Sequence, residues 1–213
     1  MDSHSTREQR KQDLRRVLLD AAKEIFLREG YDGFSMRKLA AQVGYSAGTI
    51  YLHFEGKGEL LETLTEDSFS RLASSLAGLK ERHEGRDPVE VLRKILYTYV
   101  EFGVRNPHEY RRALVGQQAK ATCAGKIILE TMQQVVRRCV EEARFREVDP
   151  VAASEALWAT VHGVTSLLIQ SEGIFAAGKP VVADLAINSV LGGLLSSPVM
   201  VQAGETRLAE SAA

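Results

Sequence analysis

Cysteine is nearly absent from this chain. Cys123 and Cys139 are its only two, sixteen residues apart and outside any C-x-x-C pattern. That excludes a disulfide framework and implies free thiols in a reducing cytoplasm. Proline is scarce as well: five residues are too few for a loop-rich all-β domain, which needs turn residues every few positions. A secretory leader is not expected, because the first residues, MDSHSTREQRKQD, are polar. The apolar run Ala156–Ser171 is interrupted by Thr160, His162, Thr165 and Ser166. It is too short and too polar to span a bilayer, so a soluble cytoplasmic protein is expected, with no membrane partner. Excess charge is missing too. The net charge is −1, so any nucleic-acid site must come from local arrangement. The motifs of catalysis are also lacking: no Ser-His-Asp set, Walker sequence or glycine-rich phosphate loop is present. His83-Glu84 and His108-Glu109 do not have metal-ligand spacing. The expectation is a non-enzyme without metal or cofactor.

What remains is an ordinary globular composition, 45% hydrophobic and 26% charged, long enough for one large domain or two small ones. Its periodicity is helical nearly throughout. Leu14, Val17, Leu18, Ala21, Ala22, Ile25 and Phe26 recur at three-and-four spacing, and Gly30 supplies a stop. Helices are predicted from about Lys57 to the low eighties, after Pro88, after Pro107, and over about 124–145, 150–171 and 180–195. No strand or repeat is evident. The predicted fold is all-α, with a helical N-terminal domain over 1–56, a larger helical domain over 57–195 and a flexible tail over 196–213.

The densest local signal is residues 35–54, SMRKLAAQVGYSAGTIYLHF. Ser35 and Ser46 are N-cap residue types, and Gly44 separates two short helices. This is the helix-turn-helix pattern, whose second helix enters the major groove. On a wheel of about 100° per residue with Ile50 inward, Phe54 is also inward, while Gly48 and Leu52 point away from the core. A glycine at an outward helical position costs about 1 kcal/mol against alanine. Either a tolerated glycine or a close approach to a groove floor explains it. Arg7, Arg10, Lys11, Arg15 and Arg16 against Glu8 and Asp13 leave a local positive excess ahead of the motif. Thr49, Tyr51, His53 and Lys57 add donors of the kind that position a protein on phosphates.

Residues 15–61 resemble the N-terminal domain of TetR-family transcriptional regulators. The resemblance is carried by LLDAAKEIF, Gly30, Ser35, LAAQVGYS, Gly48-Thr49-Ile50-Tyr51, His53-Phe54, Lys57 and Leu60. It implies a homodimer on a double-stranded, palindromic operator, with a C-terminal regulatory domain answering to a small effector, most often as a repressor. By position it implies backbone or groove contacts from Ser35 and Arg37. Tyr45, Ala47 and Gly48 would face bases, with Ser46 capping the same helix. Thr49, Tyr51, His53 and Lys57 would hold phosphates. Ala47 stands where many members have a longer polar residue, and Gly56 where a capping side chain is frequent. The alternatives are an architectural DNA binder without an effector, or an all-α enzyme using a C-terminal pocket.

The second half carries Tyr99-Val-Glu-Phe102, Asn106-Pro107-His-Glu-Tyr110, Leu157-Trp158 and Val161-His162-Gly163. These resemble a family subtype with a tryptophan-histidine-glycine helix. Tyr99, Phe102, Tyr110, Trp158 and His162 are candidates for contact with an apolar or amphipathic effector, and core packing explains each of them equally. Residues 149–195 hold only five charged side chains, Asp149, Glu155, Glu172, Lys179 and Asp184. A helix apolar around most of its circumference must be buried on most of it. A dimer interface is therefore expected from Leu157, Val161, Val164 and Leu168 of one helix and the small-residue stripe Val182, Ala186, Ser189 and Gly193 of the next.

Overall fold

The computed structural model describes residues 3–115, 123–170 and 175–196; most of the expected tail, 197–213, lies outside them. The described chain is helical, with one isolated antiparallel bridge, Phe145 to Leu195. It divides into two compact units between Ser68 and Phe69 rather than after Gly56. The reason is that Leu60, Leu61 and Leu64 belong to the N-terminal core, so the start of the long fourth helix folds with what precedes it.

The N-terminal unit contains α1 (Ser3–Gly33), α2 (Met36–Val43), α3 (Ala47–Tyr51) and the beginning of α4 (Lys57–Arg82). The α1 backbone leaves helical geometry at Gly30, with φ 69° and ψ −173°, values that glycine reaches at little cost. Leu18, Ala21, Ala22, Ile25 and Phe26 are buried, and Phe26 stacks on Phe34 with centroids 4.3 Å apart. Val17, expected on the same stripe, is exposed. It sits about 100° from Leu18 on the wheel, beyond the stripe's edge.

The C-terminal unit contains the rest of α4, α5 (Pro88–Arg105), α6 (Pro107–Val115), α7 (Cys123–Glu141), α8 (Pro150–Gln170) and α9 (Lys179–Gly192). Asp87 caps α5 by accepting from the Val89 amide at 3.0 Å, and Pro88 occupies the first turn, where its missing N–H is not needed. Asp149 caps α8 through the Val151 amide at 3.1 Å. α8 is the hub, with α5, α7 and α9 packed against it.

That arrangement turns half of the expected interface inward. Leu157, Val161, Val164 and Leu168 are all buried within their own chain, because three neighbouring helices use up most of the apolar circumference of α8. Val182 and Ala186 are half-buried against the same core, while Ser189 and Gly193 are exposed. The outward stripe of α9 is Val181, Leu185, Ser189 and Gly192, which shares Ser189 with the expected one and is otherwise set one residue earlier. On α8 the outward positions are Ala156, Ala159, Gly163 and Leu167. Leu185 is 65% exposed and Leu167 53%.

Where α5 crosses α8 the backbones come close at Gly103. A Cβ there would lie 2.2 Å from Thr165 Cγ2 and 2.9 Å from Tyr110 Cδ2.

Candidate functional site

The helix pair 35–54 is held by local chemistry. Ser35 accepts from the Lys38 amide at 3.2 Å, and Ser46 accepts from the Thr49 amide at 3.1 Å, so each short helix starts on a hydroxyl cap. Gly44, at φ 72°, ends α2 in the left-handed region. Met36, Leu39, Ala40, Ile50 and Phe54 are buried beneath the pair. Arg37, Tyr45, Ser46, Gly48, Tyr51 and Leu52 are exposed on it, and Ser35, Ala47, Thr49 and His53 are half-buried. Gly48 is exposed on the outer side of α3, and Leu52, just past its end, is 79% exposed.

Two of the basic residues have internal work. The Arg15 guanidinium donates to the His53 carbonyl at 2.5 Å and to Thr63 Oγ1 at 3.3 Å, and lies 4.1 Å from the Phe54 ring centroid. Glu59 is 3.6 Å away. Arg15 is thus an anchor for the end of α3 as well as a positive charge. Lys57 Nζ donates to the Phe34 carbonyl at 3.2 Å, tying the first turn of α4 to the loop before α2. Gly56 brings no capping side chain, and Glu59 compensates by accepting from the Glu55 amide at 2.6 Å.

His53 is placed to donate rather than to carry charge. Its Nδ1 is buried and has no hydrogen-bond partner among the described residues. Desolvation, followed by the charges of Lys11 and Arg15, holds its pKa below the ordinary value. Orphaned N–H groups are rarer than under-satisfied acceptors, so the buried Nδ1 is assigned the lone pair and Nε2 the proton.

Residues 18–64 match the profile described as bacterial regulatory proteins, tetR family, and residues 92–187 match the tetracyclin repressor-like C-terminal domain. The HTH-type transcriptional regulator AcrR of Shigella flexneri is 30% identical over 147 residues, covering 62% of this chain and 67% of that protein. This chain belongs to the TetR family of transcriptional regulators. The HTH-type transcriptional regulator YobS of Bacillus subtilis is 24% identical over 84% of this chain and 92% of its own length. Among solved structures, a TetR-family regulator from Pectobacterium atrosepticum superposes with a TM-score of 0.77 at 22% identity, covering 90% of this chain and 98% of that one. The protein is accordingly a DNA-binding transcriptional regulator with an all-α fold. Among its described residues no helix is long and apolar enough to cross a membrane.

In this TetR-family chain, four of the five candidate effector residues converge in the C-terminal unit. Tyr110 Oη lies 2.8 Å and Tyr99 Oη 3.1 Å from His162 Nδ1, with the two hydroxyls 3.3 Å apart. The imidazole lies nearly parallel to the Tyr110 ring, at 5.5 Å, and to the Trp158 ring, at 5.0 Å. Tyr99 and Tyr110 are buried, His162 is half-buried, and Trp158 is 37% exposed. Phe102 packs edge-on against Phe69 at 5.2 Å and makes no ring contact with the histidine. A second polar knot was not foreseen in the sequence: Tyr97 donates to Asp184, which also accepts from Asn188, and Arg93 donates to Asn188. Burial, followed by the Asp184 carboxylate, pushes the Tyr97 phenol up to about 12. Cys139 is buried and its thiol is pushed up to about 12, which makes it unreactive; Cys123 is exposed.

Burial lowers the pKa of His162 from its ordinary 6.5. The folded chain therefore binds that proton less readily than the unfolded chain. Stability from this site is full above pH 6.5 and falls as pH drops through 6.5 towards the lower folded-state value. His162→Gln, which keeps a polar side chain beside the two phenols, should flatten the pH dependence of urea midpoints in that window. An unchanged slope would show that His162 titrates alike in both states.

Proposed function

We propose that this regulator binds a palindromic operator as a homodimer and is released by a small apolar or amphipathic effector taken up by its C-terminal helices. The observation that carries the reading is the pair of exposed apolar stripes on adjacent α8 and α9. Leu167, Val181 and Leu185, with small residues between them, are an unusual surface for a monomer and suit a two-fold, isologous four-helix contact. Binding two successive major grooves would require the two α3 helices of a dimer to lie about 34–36 Å apart. The N-terminal unit is the DNA-binding part and the C-terminal unit the regulatory and dimerising part. The Tyr99–Tyr110–His162 cluster, roofed by Trp158, supplies polar groups amid aromatics, the mixture that recognises a small molecule. Effector binding that favours a different pose of the shared helix α4 would release the operator, with a coupling of about 1–3 kcal/mol.

Gly48 provides the test. A Cβ there would meet only Ser46 Oγ, at an ordinary 3.7 Å. Gly48→Ala should fold as well as the native protein or better, by up to about 1 kcal/mol. Gly48→Leu should keep its helical circular dichroism and dimer mass, yet lose binding to duplexes enriched from a random library by the native protein. Native affinity in Gly48→Leu would take α3 out of the groove.

A further inference from the structure

We propose that α3 distinguishes its operator by the 5-methyl groups of thymine rather than by paired hydrogen bonds to purines, a proposal that rests on the operator-binding reading above. In the major groove guanine is read mainly by arginine or lysine and adenine by asparagine or glutamine, each through a bidentate pair. Residues 45–53, YSAGTIYLH, contain none of these four types and no carboxylate. Of the four hydroxyls present, those of Ser46 and Thr49 are spent on the fold, while the Tyr45 and Tyr51 phenols, like the His53 Nε2 hydrogen, are one-point groups. Ser46 Oγ accepts from the Thr49 amide at 3.1 Å and pairs with Thr49 Oγ1 at 2.9 Å, leaving a single hydroxyl hydrogen between them. A single donor makes a one-point contact and cannot reproduce a bidentate pattern.

α2 is similarly committed. Lys38 Nζ is held by Glu29 at 2.6 Å and by the Gly33 carbonyl at 2.7 Å. Gln42 donates to Glu24 at 2.9 Å, across to α1. Arg37 is the remaining exposed cation of α2 and can serve one guanine or one phosphate. What α3 and its flanks do present is chiefly apolar: the Leu52 side chain just past the helix at 79% exposure, the Tyr45 ring just before it at 47% and the Tyr51 ring at 54%, with no side chain at Gly48 between them. Leucine and aromatic edges match one feature of the groove floor, the thymine methyl, which is also the apolar mark that separates T·A from C·G there.

The experiment uses the full-length protein. A duplex is enriched from a random library made with thymidine and then resynthesised with deoxyuridine at the half-site thymidines, which deletes the methyl groups and keeps every base-pairing edge. Affinity should fall about fourfold for each contacted methyl group, while binding to unselected duplex is unchanged. Replacing a contacted T·A pair by 5-methylcytosine·guanine should retain more affinity than replacing it by cytosine·guanine. If the uracil duplex binds as tightly as the thymidine duplex, methyl reading is overturned and the operator reading stands. If no sequence is enriched at all, the operator reading falls and the proposal with it.

Discussion

Gly103→Ala should destabilise the C-terminal unit by about 3 kcal/mol, at the upper end of what overpacking a close-packed core usually costs. The added methyl would stand 2.2 Å from Thr165 Cγ2 and 2.9–3.0 Å from the Tyr110 ring. Neither neighbour is at liberty to yield. Thr165 is buried, and its rotamer is fixed by a 2.6 Å hydrogen bond from Oγ1 to the Val161 carbonyl. Tyr110 is fully buried and held through its hydroxyl by His162 and Tyr99. The better helix propensity of alanine returns only about 1 kcal/mol. The companion change Thr165→Ser removes the nearest methyl while keeping the hydroxyl. Gly103→Ala/Thr165→Ser should therefore recover much of the loss in urea unfolding. A single Gly103→Ala variant as stable as the native protein would mean that α5 and α8 are not so closely apposed.

Leu185→Glu should leave the fold intact and break the proposed dimer. The side chain is 65% exposed within the chain, so a carboxylate there disturbs no core packing. Across a two-fold contact it would bury a charge against its own copy, which costs several kcal/mol. Sedimentation should give a monomer, and affinity for the enriched duplex should drop on the order of 100-fold or more, because two half-sites would no longer be gripped together. A glutamate at half-buried Ala186 is a poorer probe, since it would damage the chain's own core first. If Leu185→Glu remains dimeric at micromolar concentration, the stripes on α8 and α9 do not form the interface.

The contrast between Leu185 and Ala186 shows where sequence reasoning holds and where it stops. The helix-turn-helix was legible because its determinants are local: two serine caps, a left-handed glycine and inward Ile50 and Phe54 all act within a few residues of one another. α8 and α9 gave no such phase. A helix apolar around most of its circumference does not announce which side meets its own chain, and three neighbours had to be placed before Leu157 and Val161 could be assigned inward and Leu167 outward. Arg15 was read as part of a basic surface because its partners, His53, Glu59 and Thr63, are 38 to 48 residues away. Aromatic and polar side-chain types single out Tyr99, Phe102, Tyr110, Trp158 and His162 in the sequence, but which of them meet, and the sharing of Nδ1 between two phenols, depends on the register of α5, α6 and α8.

Trp158 makes the C-terminal unit optically self-reporting. It is the chain's only tryptophan, so indole emission comes from one address, and that address is the partly open outer layer of the stack over His162. A protonated imidazole at 5.0 Å is an efficient quencher, whereas the neutral ring is a poor one. Emission intensity therefore records the charge on His162, and a shift in emission colour records any molecule that parts the indole from the ring beneath it. Effector candidates can be screened against the unlabelled protein, in the cuvette, with no DNA present.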